Sequence, residues 1–219
     1  MDISYLGHSC FKLRGADAVV VTDPYPKSVG FSMPKVSADI ITVSHTQHDD
    51  HNEVKNVSTT SRRDEPFVID APGEYEISGV SVFGISTFHD ASKGDKRGKN
   101  TVYVIHIDDI KVAHLGDLGH TLSDKQLEEL DGVDVLLCPV GGVYSLDSKT
   151  ASQVINSIQP SYVIPMHYKT KEHGQKVFGK LATLADFLTE IGAKDKQAQE
   201  KLTVSSTSLP EETEVVVLS

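Results

Sequence analysis

A chain of 219 residues is long enough to bury one substantial core, and its 16 glycines are spread along it rather than gathered in a linker, so one domain over residues 1–219 is expected. The formal net charge of −10 argues against nucleic acid as the main partner, because the best basic patch, "KGDKRGK" at 93–99, is short. Cys10 and Cys138 lie far apart without CxxC spacing, no apolar leader follows Met1, and no stretch reaches the roughly 18 apolar residues of a membrane span, so a reduced, cytoplasmic protein without a membrane partner is expected.

Short β-branched runs bounded by Gly, Pro, Asn or Asp follow one another along the chain: "DISYL", "SCFKL", "AVVVTD", "ADIITVS", "PFVIDA", "GVSVFGIS", "TVYVIHI", "IKVAHLG", "VDVLLCP" and "SYVIPMH". Each predicts a strand, and "KLTVSS" at 201–206 and "EVVVLS" at the C-terminus predict two more. Helical spacing appears later, over 122–130, 147–158 and 178–192. Ser123 and Asp147 or Ser148 are the N-cap candidates of the first two, and Gly192 ends the third. Phe178, Leu181, Leu184, Ala185, Leu188 and Ile191 share one face of that third helix and are predicted to lie on a sheet. The polar stretch 193–201 reads as a helix extension or a mobile loop. The class is α/β, with sheets covered by helices and no regular βαβ alternation in the first half.

"ITVSHTQHDDHNEV" at 41–54 sets three histidines and two aspartates directly behind a strand. Imidazole and carboxylate are the ligands zinc and related divalent cations favour, and a strand end gives them a rigid support. Three other strand ends carry ligand-type residues: His89 in "STFHD", Asp117 in "AHLGDLGH" and His167 in "VIPMHY".

In order and spacing, "SHTQHDDHN", "FHD", "GDLGH" and "PMHY" resemble the successive metal motifs of the metallo-β-lactamase fold superfamily. "YLGHSCFKL", "VTDPY", "RGKN", "HLGDLGH" and "PVGGVY" resemble its branch that includes the ascorbate-phosphate lactonase and related Zn-dependent hydrolase-like proteins. The resemblance covers most of the chain. It implies a four-layer αββα sandwich with two divalent metal ions at one edge, zinc first, with manganese or iron as alternatives. By position, His45, His48 and His89 would take one metal, Asp50, His51 and His167 the other, and Asp117 would bridge. One departure stands out. Two residues separate His45 from His48 where the superfamily has one, so either the loop bulges or Thr46 falls where the first histidine belongs.

Other residues follow from their neighbourhoods. Asp50 and His120 are the candidate catalytic residues, His120 through proton transfer, and His8 and Asp23 are expected beside the ligands, where Asp23 could orient a ligating imidazole. Arg97 and Asn100 are candidates for an anionic group, and Tyr144 and Tyr168 for the pocket wall. His106, His114 and His173 read as ordinary structural or surface histidines. Two cations sharing a water bring its pKa toward neutrality, so the expected activity is metal-dependent hydrolysis by a metal-bound hydroxide of a small ester, lactone or phosphate-containing metabolite. Phosphodiester or nuclease chemistry, a di-iron redox protein, a metal-stabilised binding protein and a homo-oligomer all stay open at this level.

Overall fold

The computed structural model describes residues 1–219. Its first half is made of β1 (Asp2–Gly7), β2 (Cys10–Arg14), β3 (Val19–Thr22), β4 (Val36–Ala38), β5 (Ile40–Thr42), β6 (Val57–Thr59), β7 (Phe67–Ile69), β8 (Gly73–Ile77), β9 (Val80–Phe88) and β10 (Lys99–Ile107). The second half brings β11 (Ile110–His114), α1 (Asp124–Glu129), β12 (Val135–Pro139), α2 (Ser148–Ile158), β13 (Tyr162–Met166), α3 (Gln175–Phe178), α4 (Leu184–Glu190), β14 (Ala198–Gln199), β15 (Leu202–Thr203), β16 (Glu214–Val215) and β17 (Val217–Leu218).

Two sheets face each other. One runs β15-β1-β2-β3-β5-β7 and the other β16-β13-β12-β11-β10-β9-β8. Ile3, Phe11, Leu13, Val20 and Ile40 of the first meet Tyr103, Ile105, Val112, Leu137 and Ile164 of the second in one buried cluster. Alternation along β10 sends Tyr103 and Ile105 into that cluster and Val102 and Val104 to the opposite face. There α2 and α4 cover the second sheet through Ala151, Val154, Ile155, Phe187 and Leu188. The outer face of the first sheet is closed more thinly, by the paired β4 and β6, a short 3₁₀ turn at Lys27–Val29, and Phe178 and Leu181. The order of layers is therefore that of an αββα sandwich, with one helical layer reduced to short pieces.

The predicted helix over 178–192 is broken in two. Thr183 caps α4 through a reciprocal capping box with Asp186, while the backbone N–H of Ala182 donates to Gly141 O at 2.8 Å. Phe178 and Leu181 consequently face the first sheet, Phe187 and Leu188 face the second, and Ala185 is exposed. The C-terminal "EVVVLS" is split as well: β16 joins β13, and β17 pairs with β14, which lies within the stretch read as polar helix or loop.

Direction is what matters for function. In the first sheet β1, β3 and β5 run the same way, and in the second β9, β11, β12 and β13 do. Their C-terminal ends meet along one edge of the sandwich. Bonds between the sheets tie that edge together: Thr101 N–H donates to Ser44 O at 2.7 Å, and His167 N–H to His8 O at 2.9 Å.

Candidate metal centre

Six chain segments deliver histidines and aspartates to this edge. His8 sits in the β1–β2 turn, Asp23 follows β3, and His45, Asp50 and His51 follow β5. His89 follows β9, Asp117 follows β11, and His167 follows β13. Three of these residues, His8, Asp23 and His167, adopt left-handed backbone with φ of 55°, 40° and 54°. Such conformations cost energy for residues other than glycine and persist where the surroundings hold them.

Asp117 is the hub. Its Oδ2 lies 3.2 Å from His89 Nε2, 3.4 Å from His167 Nε2 and 3.6 Å from His51 Nε2. Three overlapping groups each have their ligand atoms within 4.8 Å of one another: His45, His89 and Asp117; His45, Asp50 and His51; and His8, His51 and His167. His45 Nε2, Asp50 Oδ1, His51 Nε2, Asp117 Oδ1 and both ring nitrogens of His167 are buried with no hydrogen-bond partner. Buried polar atoms are ordinarily paired, so a convergent set left open is what divalent cations would complete. The donor set fits divalent cations.

His45 is buried in this cluster while Thr46 and Gln47 are exposed, so the extra residue of "HTQH" is taken up in an outward bulge and Thr46 does not replace the histidine. His48 stands at the surface, its ring 5.8 Å from that of His45 and 5.5 Å from that of His89.

The support behind the donors is built from Asp23. Its Oδ1 accepts the Ser44 N–H at 2.7 Å, and its Oδ2 accepts the Ser44 hydroxyl at 2.7 Å and His51 Nδ1–H at 2.8 Å. The Ser44 oxygen in turn accepts His45 Nδ1–H at 3.0 Å. One carboxylate thus sets two rings, His51 directly and His45 through Ser44, with both Nε2 atoms turned to the centre. Asn100, expected at the substrate, is placed elsewhere. It is buried, its amide donates to Thr87 Oγ1 and Leu115 O, and its Oδ1 accepts the Asp117 N–H at 2.9 Å, so it holds the Asp117 turn.

Charge among these groups is shared. Burial opposes a charge on His51, yet Asp117, Asp50 and Asp23 outweigh it and raise its pKa to about 10. Burial likewise opposes ionisation of Asp50, but His51 and His45 bring it down to about 2. Burial pushes against an ionised Asp117 too, and His167 and His51 hold it well below the carboxylate range. Burial lowers His45, where no carboxylate contact is as close.

A cleft of about 590 Å³ opens onto these groups, with His48, Asp50, His89 and Asp117 on its floor and Arg97, Tyr144 and Phe178 around it. Arg97 lies over the Tyr144 ring, 5.4 Å from its centroid, and Lys96 stands beside it. Asp90 shapes their loop by accepting the backbone N–H groups of Ser92, Gly94, Lys96 and Arg97.

Two other expected site residues are not brought to the cleft. His120, named for proton transfer, accepts the Phe88 N–H on Nε2 and donates from Nδ1 to Thr121 O, so both nitrogens serve the backbone. Tyr168 is buried against Tyr5 and the helical layer. Conversely, His114, read as ordinary, donates from Nε2 to Ser9 O at 2.8 Å with its Nδ1 3.9 Å from Asp23, and His173 contacts His8. Ser44 was missed; its place beside the first histidine is the only signal for it, since a serine after a strand is commonplace.

Two facing sheets whose parallel-running ends gather histidines and aspartates around one aspartate define a metalloprotein of the metallo-β-lactamase type. The family model of the β-lactamase superfamily domain matches residues 2–167. A crystal structure from Thermotoga maritima, of a protein proposed to be a Zn-dependent hydrolase of the metallo-β-lactamase superfamily, is 38% identical, with a TM-score of 0.78 over 99% of this chain and 97% of that one. A protein of Thermoplasma volcanium named as a metal-dependent hydrolase is 30% identical over 78% of this chain and 85% of its own. The di-iron β-hydroxylase CmlA of Streptomyces venezuelae, 14% identical with a TM-score of 0.58 over 93% of this chain and 54% of its own, shares the fold alone. The chain belongs to the metallo-β-lactamase superfamily.

Proposed function

We propose that the protein is a two-metal hydrolase, zinc-dependent in the first instance, that cleaves a small ester, lactone or phosphate-containing metabolite. The observation that carries this is the set of buried, unpartnered nitrogens and oxygens of His45, Asp50, His51, Asp117 and His167, which fall in overlapping donor groups behind an open cleft that Asp50 and Asp117 line. A closed structural zinc site needs four ligands and no cleft. The relatives named as metal-dependent hydrolases support the same chemistry.

His45, His89 and Asp117 form one donor group and would hold one cation, with His48 on the cleft wall nearby; His51 stands with Asp50 in a second group and beside His167 in a third, and these three would hold the other, with Asp117 within 3.4–3.6 Å of His167 and His51. When bound, two such ions lower the pKa of water toward neutrality and polarise a carbonyl or phosphoryl oxygen. The chain's own residues do the rest. Asp23 and Ser44 keep the imidazoles in the ligating tautomer. Lys96 and Arg97 set positive charge at the mouth, which suits a substrate with a carboxylate or phosphate, and Phe178 and Tyr144 give it an apolar wall. An overall negative protein with this one local basic edge fits a small anionic metabolite better than a nucleic acid. Both cysteines are free and buried, which fits a reducing compartment such as the cytoplasm.

The test is metal content per chain on protein purified without chelator, followed by a screen of lactones, esters and phosphoesters. Two equivalents of zinc in the wild type, reduced in His45→Ala and Asp117→Ala, together with turnover lost in both, are expected. One equivalent that survives His45→Ala would refute the two-metal reading, and iron with oxygen consumption would replace hydrolysis by redox chemistry.

A further inference from the structure

Beside the candidate ligands the site holds one more imidazole. His8 is completely buried, and one of its ring nitrogens lies within 4.8 Å of nitrogens of His51 and His167, near enough to be counted as a ligand. The hydrogen bonds behind it decide otherwise. The backbone N–H of Thr170 donates to His173 Nδ1 at 3.1 Å, so that nitrogen carries a lone pair and the neutral His173 ring has its proton on Nε2. His173 Nε2 lies 3.1 Å from His8 Nδ1; it is therefore the donor, and His8 Nδ1 the acceptor. Neutral His8 then keeps its proton on Nε2, the nitrogen that has no partner. A protonated ring nitrogen has no lone pair for a cation. His45 and His51 are set the opposite way, each donating from Nδ1 and leaving Nε2 free to ligate.

We propose that His8 is a fixed N–H donor rather than a metal ligand, held in that tautomer by Thr170 and His173, and that it hydrogen-bonds an anionic oxygen bound beside the metals. This rests on the two-metal hydrolase reading and adds to it the class of reacting group, one whose oxygen gains negative charge, as an acyl carbonyl or a phosphoryl group does. The surroundings suit the task. The Phe178 ring, which lines the cleft, packs 5.1 Å from His8 and the Tyr25 ring 6.3 Å away, so water is kept from the donor. Shielding from water strengthens a hydrogen bond to a developing charge, and a buried N–H without a partner is a cost that a bound oxygen would remove. Thr170 and His173 are positioning residues, because they act through His8.

The experiment uses the full chain with ¹⁵N-labelled histidine, read by long-range ¹H–¹⁵N correlation of the rings before zinc, after zinc, and after inorganic phosphate as the probe anion. The expected result is that zinc moves the His51, His89 and His167 signals, that His8 keeps its Nε2–H, and that phosphate then moves the His8 signal. Loss of the His8 Nε2 proton on adding zinc would make it a ligand and overturn the donor role while leaving the metal centre standing. A His8 signal that phosphate leaves in place would overturn the assigned task. No response of any site histidine to zinc would overturn the hydrolase reading and the inference with it.

Two variants keep the inference open to failure by a second route. His8→Gln retains an N–H and His8→Phe does not, so both should hold wild-type zinc equivalents and only His8→Phe should lose phosphate affinity, by about tenfold or more. Zinc lost from both would refute it. If His8→Phe does not fold, His173→Phe removes the relay alone, and a mixture of His8 tautomers is expected; an unchanged tautomer would refute the relay.

Discussion

Exchanging Asp23 for asparagine removes no volume and reverses one set of hydrogen bonds. With the amide oxygen kept on the Ser44 N–H, the amide nitrogen replaces the oxygen that now accepts from His51 Nδ1 at 2.8 Å and from the Ser44 hydroxyl at 2.7 Å. An amide nitrogen cannot accept. His51 must then turn a lone pair toward residue 23 and move its proton to Nε2, the nitrogen that faces Asp117 at 3.6 Å. The Ser44 hydroxyl, now accepting from the amide, is free to donate to His45 Nδ1, and the His45 proton shifts to Nε2 in the same way. One substitution therefore inverts two imidazoles of the site, His51 and His45. Hydrogen bonds to a charged group contribute about 1.5–3 kcal/mol, and loss of an orienting partner costs a metal site about 10- to 100-fold in affinity. Zinc titration of full-length Asp23→Asn against a competing chelator should show a weakening of that size, with a thermal melt to establish that the variant is folded. Ser44→Ala should weaken zinc less, since only His45 loses its partner. Wild-type zinc affinity in Asp23→Asn would refute the assigned tautomers.

Arg97→Ala should leave metal content unchanged and weaken inorganic phosphate by about three- to tenfold, with the gap closing at high salt; equal binding by both proteins would remove Arg97 from the anion site. In chelator-treated protein, His51 has its pKa raised from 6.5 to about 10, so the stability it contributes is complete below about pH 6.5 and disappears as pH rises through about 10. Melting temperature of the metal-free form should fall between pH 7 and 10, and zinc, by replacing that proton, should flatten the slope; a metal-free form with constant melting temperature over this range would count against the charge arrangement. A Cβ on Gly141 would run into the carbonyl oxygen of His167, so Gly141→Ala should cost about 1–3 kcal/mol and take zinc affinity with it, and a variant as stable as the wild type would show that the loop can move aside.

Much of the sandwich is legible in the chain because each interior strand alternates or runs apolar between turn residues, as in "TVYVIHI" and "VDVLLCP". β8, "GEYEI", is not, since an edge strand buries little and its glutamates stay exposed. The periodicity of 178–192 misleads for a different reason. The spacing of Phe178, Leu181, Leu184, Leu188 and Ile191 looks continuous at helical period, but Thr183 starts a new helix and the two halves face different sheets. Asn100 shows the same limit at the site, because a polar residue beside a basic loop reads as substrate-facing until its amide is seen bonded to Thr87 and Leu115.

By itself the sequence determined which donor types exist and that each stands just past a strand, because ligand residues and β-branched runs are both local properties. Which donors meet, and which nitrogen of each ring carries the proton, was decided only by tertiary structure. His51 takes its partner 28 positions away at Asp23, and His8 takes its partner 165 positions away at His173. Spacing along a chain sets reach within one loop, whereas a tautomer is set by whatever the packing of two sheets brings within hydrogen-bond distance of the ring.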